Sequence, residues 1–226
     1  MEKVKQHFEA EAKEFDNIII KLIPFYEQMI DCLVSAIHFD EHEEIKVIDL
    51  GCGTGTIARK ISERYKNTTI ECLDMASNMI ELAKIKMANH HKTKFSIKDF
   101  SAIRFSESYD VVVSSLALHH LETDEQKRGF YEKIYEALNN KGMFLNADVI
   151  LASSHYWQDL NMKKWIGYMN RSVPMQEILT NWIPKYESED RPAILIDQIE
   201  WLKEIGFKNV DVIWKYYNFG VYGGIK

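Results

Sequence analysis

The chain has 226 residues, 46% of them hydrophobic and 12% aromatic, which suits one sizeable α/β domain and excludes a disordered chain. A formal net charge of −6 provides no global basic field for holding nucleic acid. Cys32, Cys52 and Cys72 are too few for a disulfide framework, and none sits in a C-x-x-C pair, so no disulfide scaffold and no metal site are expected. Residues 1–7 carry no apolar signal core, and no uncharged apolar run is long enough for a bilayer. The expectation is a cytoplasmic protein without membrane contact.

In chain order, residues 2–38 read as two helical pieces, because Ile18, Ile19, Leu22, Ile23, Tyr26, Ile30, Leu33 and Ile37 recur at three- and four-residue steps, with a boundary at Pro24. The charged stretch 40–44 is a linker, and 45–50 is the first strand. Strands follow at 69–73, 94–97, 109–114 and 143–150, with helices at 56–65, 76–87 and 122–138 between them. Val111, Val112 and Val113, uninterrupted by polar residues, suit a parallel strand covered on both faces. The rhythm breaks at 151–193, where Trp157, Trp165, Trp182 and three prolines interrupt helical segments. Residues 194–205 form a helix stopped by Gly206, and 209–225 form two strands with a turn near Tyr217 and Asn218.

The first strand carries the chemistry. Val47, Ile48 and Leu50 surround Asp49, and Gly51, Cys52, Gly53, Thr54 and Gly55 follow before a helix. A strand that enters a glycine turn and then a helix lets backbone approach a ligand closely. A dinucleotide fingerprint spaces its glycines G-x-G-x-x-G, whereas here they fall at 51, 53 and 55. That pattern resembles motif I of the class I S-adenosylmethionine (SAM) methyltransferases. The resemblance implies a Rossmann-like α/β fold: a seven-stranded, mostly parallel sheet with an antiparallel C-terminal hairpin, helices on both faces, a helical N-terminal segment and a helical cap. It also implies one domain over 1–226, divided into an N-terminal lid (1–40), a SAM-binding core (45–150), a cap that sets the acceptor (151–193) and a closing helix and hairpin (194–226). The implied cofactor is SAM, with S-adenosylhomocysteine (SAH) as product.

The same resemblance assigns roles residue by residue. Gly51, Cys52, Gly53 and Gly55 form the loop on which the methionine end lies. Asp49 supports that loop and the SAM amino group, or is simply a capping acid of the turn. Asp74 ends the second strand about twenty residues beyond the glycines, where a carboxylate can accept from both ribose hydroxyls; the plainer alternative is a helix cap. Met75 covers one adenine face. Asp99 accepts from the adenine amino group and Phe100 offers its backbone N–H, or Asp99 is a surface-loop acid. Ser115, at the end of the fourth strand, contacts the ligand near its sulfur. His120 faces the pocket as a base for an acceptor proton, or is a satisfied structural histidine. Adjacent residues on a helical turn point about a quarter-circle apart, so His119 and His120 are expected not to share a metal.

A closer likeness is to the carboxy-SAM synthases. Ile23, Pro24, Phe25 and Tyr26 resemble a segment in which the tyrosine covers the SAM site, and 201–207 with 214–220 resemble the closing helix and hairpin. Two departures stand against it. That family has a serine where Gly53 stands, and it holds the extra carboxylate with a cap arginine where spacing back from Gly206 puts Ile183, leaving Arg171 and Arg191 as alternatives. The leading expectation is methyl transfer to a small-molecule acceptor, neither nucleic acid nor membrane. The alternatives are a carboxy-SAM synthase-like enzyme using SAM and prephenate, and a non-catalytic SAM-binding module. The aromatic tail offers a contact for a homodimer.

Overall fold

The computed structural model describes Lys5 and residues 14–226; the part of the expected N-terminal helix before residue 14, Lys5 apart, lies outside the described residues. Helices α1 (Phe15–Leu22) and α2 (Tyr26–Ser35) are separated at Pro24–Phe25, where Phe25 takes a left-handed φ of 54°. Strand β1 (Lys46–Leu50), α3 (Thr56–Arg64), β2 (Thr69–Asp74), α4 (Ser77–Lys86), β3 (Thr93–Ile97) and β4 (Tyr109–Ser115) follow in alternation. Then come α5 (Asp124–Ala137) and the long β5 (Leu138–Val149). The cap is built of α6 (His155–Met169), α7 (Met175–Glu177), a π-helical turn (Ile178–Trp182) and α8 (Ile183–Glu189). The chain closes with α9 (Leu195–Ile205), β6 (Lys208–Tyr216) and β7 (Phe219–Ile225).

The seven strands form one sheet in the order β3-β2-β1-β4-β5-β7-β6. β1 to β5 are parallel, and β7 joins β5 antiparallel. Strand residues alternate between faces, so Val47, Val111 and Val113 pack under α1–α4 and the cap. Ile48, Leu50 and Val112 pack on the opposite side with Phe130, Tyr131 and Ile134 of α5 and Leu202 of α9. The valine triplet is covered on both faces, as its composition requires.

Two boundaries differ from expectation for local reasons. Helix α5 starts at Asp124, not 122, because the Thr123 hydroxyl accepts from the Gln126 N–H and the Gln126 side chain takes the Glu122 N–H. It ends at Ala137, and Leu138 already pairs with Tyr109, so 138–142 belong to β5 through an irregular register; Lys141 at φ 65° makes the bend. Gly206 at φ 122° closes α9, with the Gly206 and Phe207 N–H groups both donating to the Leu202 carbonyl. Among the described residues no helix is long and apolar enough to cross a membrane.

Candidate functional site

Because β1 and β4 are neighbours and point the same way, their C-terminal ends open side by side at one edge of the sheet. The chain leaving β1 is bent over β2: the N–H groups of Gly51 and Cys52 both donate to the Leu73 carbonyl, at 2.8 and 3.0 Å. Gly51, Gly53 and Gly55 have φ of 70°, 52° and 82°, a region that favours glycine. They serve different ends. A Cβ on Gly51 would lie 2.4 Å from the Ala117 Cβ. One on Gly53 would enter open space, with the Phe15 ring nearest at 3.9 Å. One on Gly55 would press on Ala83 of α4 at 3.1 Å, so Gly55 lets α3 start against α4.

The loop borders a cleft of about 690 Å³. Of the expected site residues, Tyr26, Gly51, Cys52, Gly53, Asp74, Met75, Phe100, Ser115 and His120 line it. Gly55 and Asp99 do not, and Asp49 lies fully buried beneath. Asp74 accepts the Gly53 N–H on one carboxylate oxygen and the Ala76 N–H on the other, both at 2.9 Å. The Cys52 thiol donates weakly to the Gly53 carbonyl, and its neighbour Cys72, followed by burial, pushes its pKa up, so it remains a thiol. Burial and the Asp16 and Asp49 charges likewise keep the Tyr26 phenol neutral.

Asp49 is the most telling group. Neither carboxylate oxygen has a hydrogen-bond partner among the described residues. Burial, then the nearby Asp74 charge, raise its pKa to about 7, with the Ala58 backbone a smaller opposing influence. The Ser115 hydroxyl is also buried without a partner among the described residues. A buried carboxylate unpaired among the described residues, two positions before a glycine loop, is an acceptor held ready for a cation or donor.

The N-terminal helix also reaches the cleft. Thr54 donates to Asp16 at 2.6 Å, and the Lys86 ammonium bonds Asp16, Thr54 and Thr56, tying α1, the glycine loop and α4 together. Thr54, within the quoted motif, and Thr56, Ile57, Met79, Phe15, Leu116 and Ala117, outside the expected site, also line the cleft.

A second cavity, of about 840 Å³, lies beside the first and shares Phe15, Leu116 and His120 with it. Ile19, Ile23, Trp165, Met169 and Phe219 make its walls largely apolar. It is roofed where the cap meets α1, through Trp165 Nε1–H to the Leu22 carbonyl (2.7 Å) and the Tyr168 hydroxyl to the Ile20 carbonyl (2.8 Å). Leu116, at φ 50°, sits at the shared wall in a backbone conformation unusual for its type.

His119 and His120 stand on a 3-10 turn (Leu118–His120) at that wall, with ring centroids 4.1 Å apart. His119 Nδ1 donates to Asp148 at 2.5 Å, and Asp148 also takes the His119 backbone N–H at 3.1 Å. Asp148, at the end of β5, and Asp190, from the cap, were not singled out in the sequence; a strand-end acid is a readable signal, whereas nothing marks Asp190. Burial alone would lower the His119 pKa, but the Asp148 and Asp190 charges reverse this and hold it at about 10. Burial, then the His119 charge, lower His120 to about 3, leaving it neutral.

Residues 47–142 match the family model described as a methyltransferase domain. Over its whole length the chain is 25% identical to the carboxy-S-adenosyl-L-methionine synthase of Nautilia profundicola, covering 96% of that protein. The solved structure of the SAM-dependent methyltransferase SibL superposes with a TM-score of 0.62 at 17% identity, over 89% of this chain. The DhpI–SAH complex superposes with a TM-score of 0.64 at 16% identity, over 96% of this chain and 92% of DhpI. The chain spans only 55% of the length of SibL. The domain match over 47–142 and the superposed folds support a class I SAM-dependent methyltransferase. Within that class its full-length likeness is to the carboxy-SAM synthase branch.

The residues present fit SAM. The open space at Gly53, the unpaired Asp49 carboxylate beneath the loop and the Asp74 carboxylate at the cleft wall match a ligand with a cationic amino-acid end and a vicinal diol.

Proposed function

We propose that the protein transfers a methyl group from SAM, bound in the β1–β4 cleft, to a small and largely apolar acceptor in the adjoining cavity. The observation that carries this reading is the wall of Phe15, Leu116 and His120 shared by the two cavities. When bound, SAM supplies a methyl group on a sulfonium, a leaving group that needs no acid. The chain's task is then to position the two partners and exclude water. Gly51 and Gly53 present backbone to the methionine end, Asp74 holds the ribose, and Met75 and Phe100 flank the adenine. Asp99, at the end of β3 and outside the cleft lining, is assigned the adenine amino group. Tyr26 and Ser115 close the cleft around the donor, and His120 stands between donor and acceptor. A cavity walled largely by apolar side chains suits a small organic molecule and not a nucleic-acid strand. The free thiols of Cys32, Cys52 and Cys72 accord with a reducing, cytoplasmic setting.

The full-length likeness favours a second reading, carboxy-SAM synthesis. The arginines weigh against it. The Arg191 guanidinium donates to the carbonyls of Glu187, Ser188 and Asp190, and Arg171 lies over the Tyr168 ring. Neither lines either cavity. Mass spectrometry of the nucleoside that co-purifies, followed by incubation with SAM with and without prephenate, separates the readings. We expect SAM or SAH, and SAH formation only with an acceptor panel. Carboxy-SAM in the purified protein would reverse the choice, and SAM binding with no turnover on any acceptor would leave a binding module.

Asp49 makes the cofactor site sensitive to pH. Its carboxyl must be ionised to meet the SAM ammonium, so protonation competes with binding below a pKa of about 7. SAM affinity is expected to rise roughly tenfold per pH unit up to about pH 7 and to level off above it. In the ligand-free protein the sign is opposite: a raised carboxyl pKa favours folding below about 4, and this contribution is lost as pH rises towards 7. Calorimetric titration with SAM from pH 5.5 to 8.5 checks this. A profile for Asp49→Asn as steep as that of the unmodified protein would remove Asp49 from the site.

A further inference from the structure

The histidine pair converges on a third group. One ligand atom from each of His119, His120 and Asp190 lies within 4.8 Å of the others. Asp190 Oδ1 is 3.5 Å from His119 Nε2 and 3.6 Å from His120 Nδ1. His120 Nδ1 also donates to the Glu189 carbonyl at 3.4 Å, a proton that a bound ion would replace. The two approaches to Asp190 are longer than good N–H···O hydrogen bonds, which fall at about 2.7–3.2 Å. They are close to the roughly 3.3 Å that separates two ligand atoms bound at about 2.0–2.1 Å around a tetrahedral ion. Asp148 supplies the outer support that metal-bound histidines commonly have. By taking the Nδ1–H of His119 at 2.5 Å it fixes the ring with Nε2 facing Asp190, and an ion bound there would displace the Nε2 proton. Both histidines are more than nine-tenths buried, and all three residues line the apolar second cavity.

We propose that His119, His120 and Asp190 form a binding site for a divalent transition-metal ion, zinc-like in its donor set, at the floor of the acceptor cavity. Two imidazoles and one carboxylate match three-ligand sites that keep a position open. In this protein the open position faces the cavity assigned to the acceptor, so the inference rests on that reading of the cavity and narrows the acceptor class. The ion favours a hydroxyl or thiol compound. The acceptor's O–H or S–H bond breaks, its proton passes to water, and the oxygen or sulfur bonds the ion as an anion. The adjacency of His119 and His120 argued against a shared ligand on helical geometry. The 3-10 turn and the arrival of Asp190 from the cap create the convergence instead.

The test is metal binding by the full chain, independent of turnover. Protein stripped with a chelator is dialysed against Zn²⁺ alone or Co²⁺ alone, and bound metal is counted by elemental mass spectrometry. The expected result is about one ion per chain, with a Co²⁺ spectrum of nitrogen and oxygen ligation lacking a thiolate charge-transfer band. Asp190→Ala and His119→Ala should weaken binding at least as much as the roughly 10–100-fold typical of losing an outer-shell partner, which is the loss expected for Asp148→Asn. Asp190→Ala should retain SAM affinity within about threefold, which shows that it folds. Substoichiometric metal, a thiolate band, or variants that bind like the unmodified chain would overturn the site. Metal binding without SAM or SAH binding would instead refute the methyltransferase reading and leave the metal site standing.

Discussion

Replacing Asp74 with alanine is expected to weaken SAM binding by on the order of 100- to 10,000-fold. A hydrogen bond to a charged group contributes about 1.5–3 kcal/mol, and the proposed ribose contact has two. The Asp74 carboxylate also accepts the Gly53 and Ala76 N–H groups, so its removal frees the loop on which the methionine end rests. Asp74→Asn keeps one acceptor oxygen and is expected to lose roughly tenfold. Calorimetry with SAM and SAH measures both variants, and thermal unfolding gives the stability change separately. If Asp74→Ala bound SAM within about threefold of the unmodified protein, Asp74 would be only a brace for the loop.

Gly51→Ala should destabilise the fold itself, by about 2–5 kcal/mol. A left-handed φ of 70° costs a residue with a Cβ roughly 1–2 kcal/mol, and the added methyl would meet the Ala117 Cβ at 2.4 Å. Overpacking of that kind typically adds about 1–3 kcal/mol. For a chain of this size each kcal/mol moves the Tm by about 2–4 °C, so a fall of roughly 4–20 °C is expected. The double variant Gly51→Ala/Ala117→Gly relieves the clash but not the backbone strain, and should recover part of the loss. Full recovery would show that space alone requires the glycine, and no recovery would show that the conformation does.

The strands and the cofactor loop were legible because their signals are local. Val111 to Val113 suited a strand buried on both sides, and the spacing of Gly51, Gly53 and Gly55 distinguished the loop from a dinucleotide turn. Asp74 was found at the cleft because a residue at a parallel strand's C-terminal end faces the site by topology. Asp99, just beyond the edge strand β3, stays outside the lining although its neighbour Phe100 reaches the cleft, so strand position alone did not decide it. Gly55 carries the same letter as Gly53 yet serves helix packing, a difference visible only once Ala83 is brought against it.

The acceptor side was not legible. Phe15, Leu116, Trp165 and Phe219 meet from four distant parts of the chain, and no periodicity links them. Asp148 and Asp190 reach His119 from a strand end and from the cap, 29 and 71 positions away. By itself the sequence determined the order of strands and helices, the glycine loop and the acids that follow it, because hydrophobic period and backbone conformation act over a few residues. Only the tertiary structure decided that Asp49 is buried without a partner among the described residues, that Arg191 is spent on its own helix end, and that two histidines and Asp190 converge beside an apolar cavity. Those facts depend on which surfaces a folded sheet brings together, and contacts between remote segments leave no mark on local pattern.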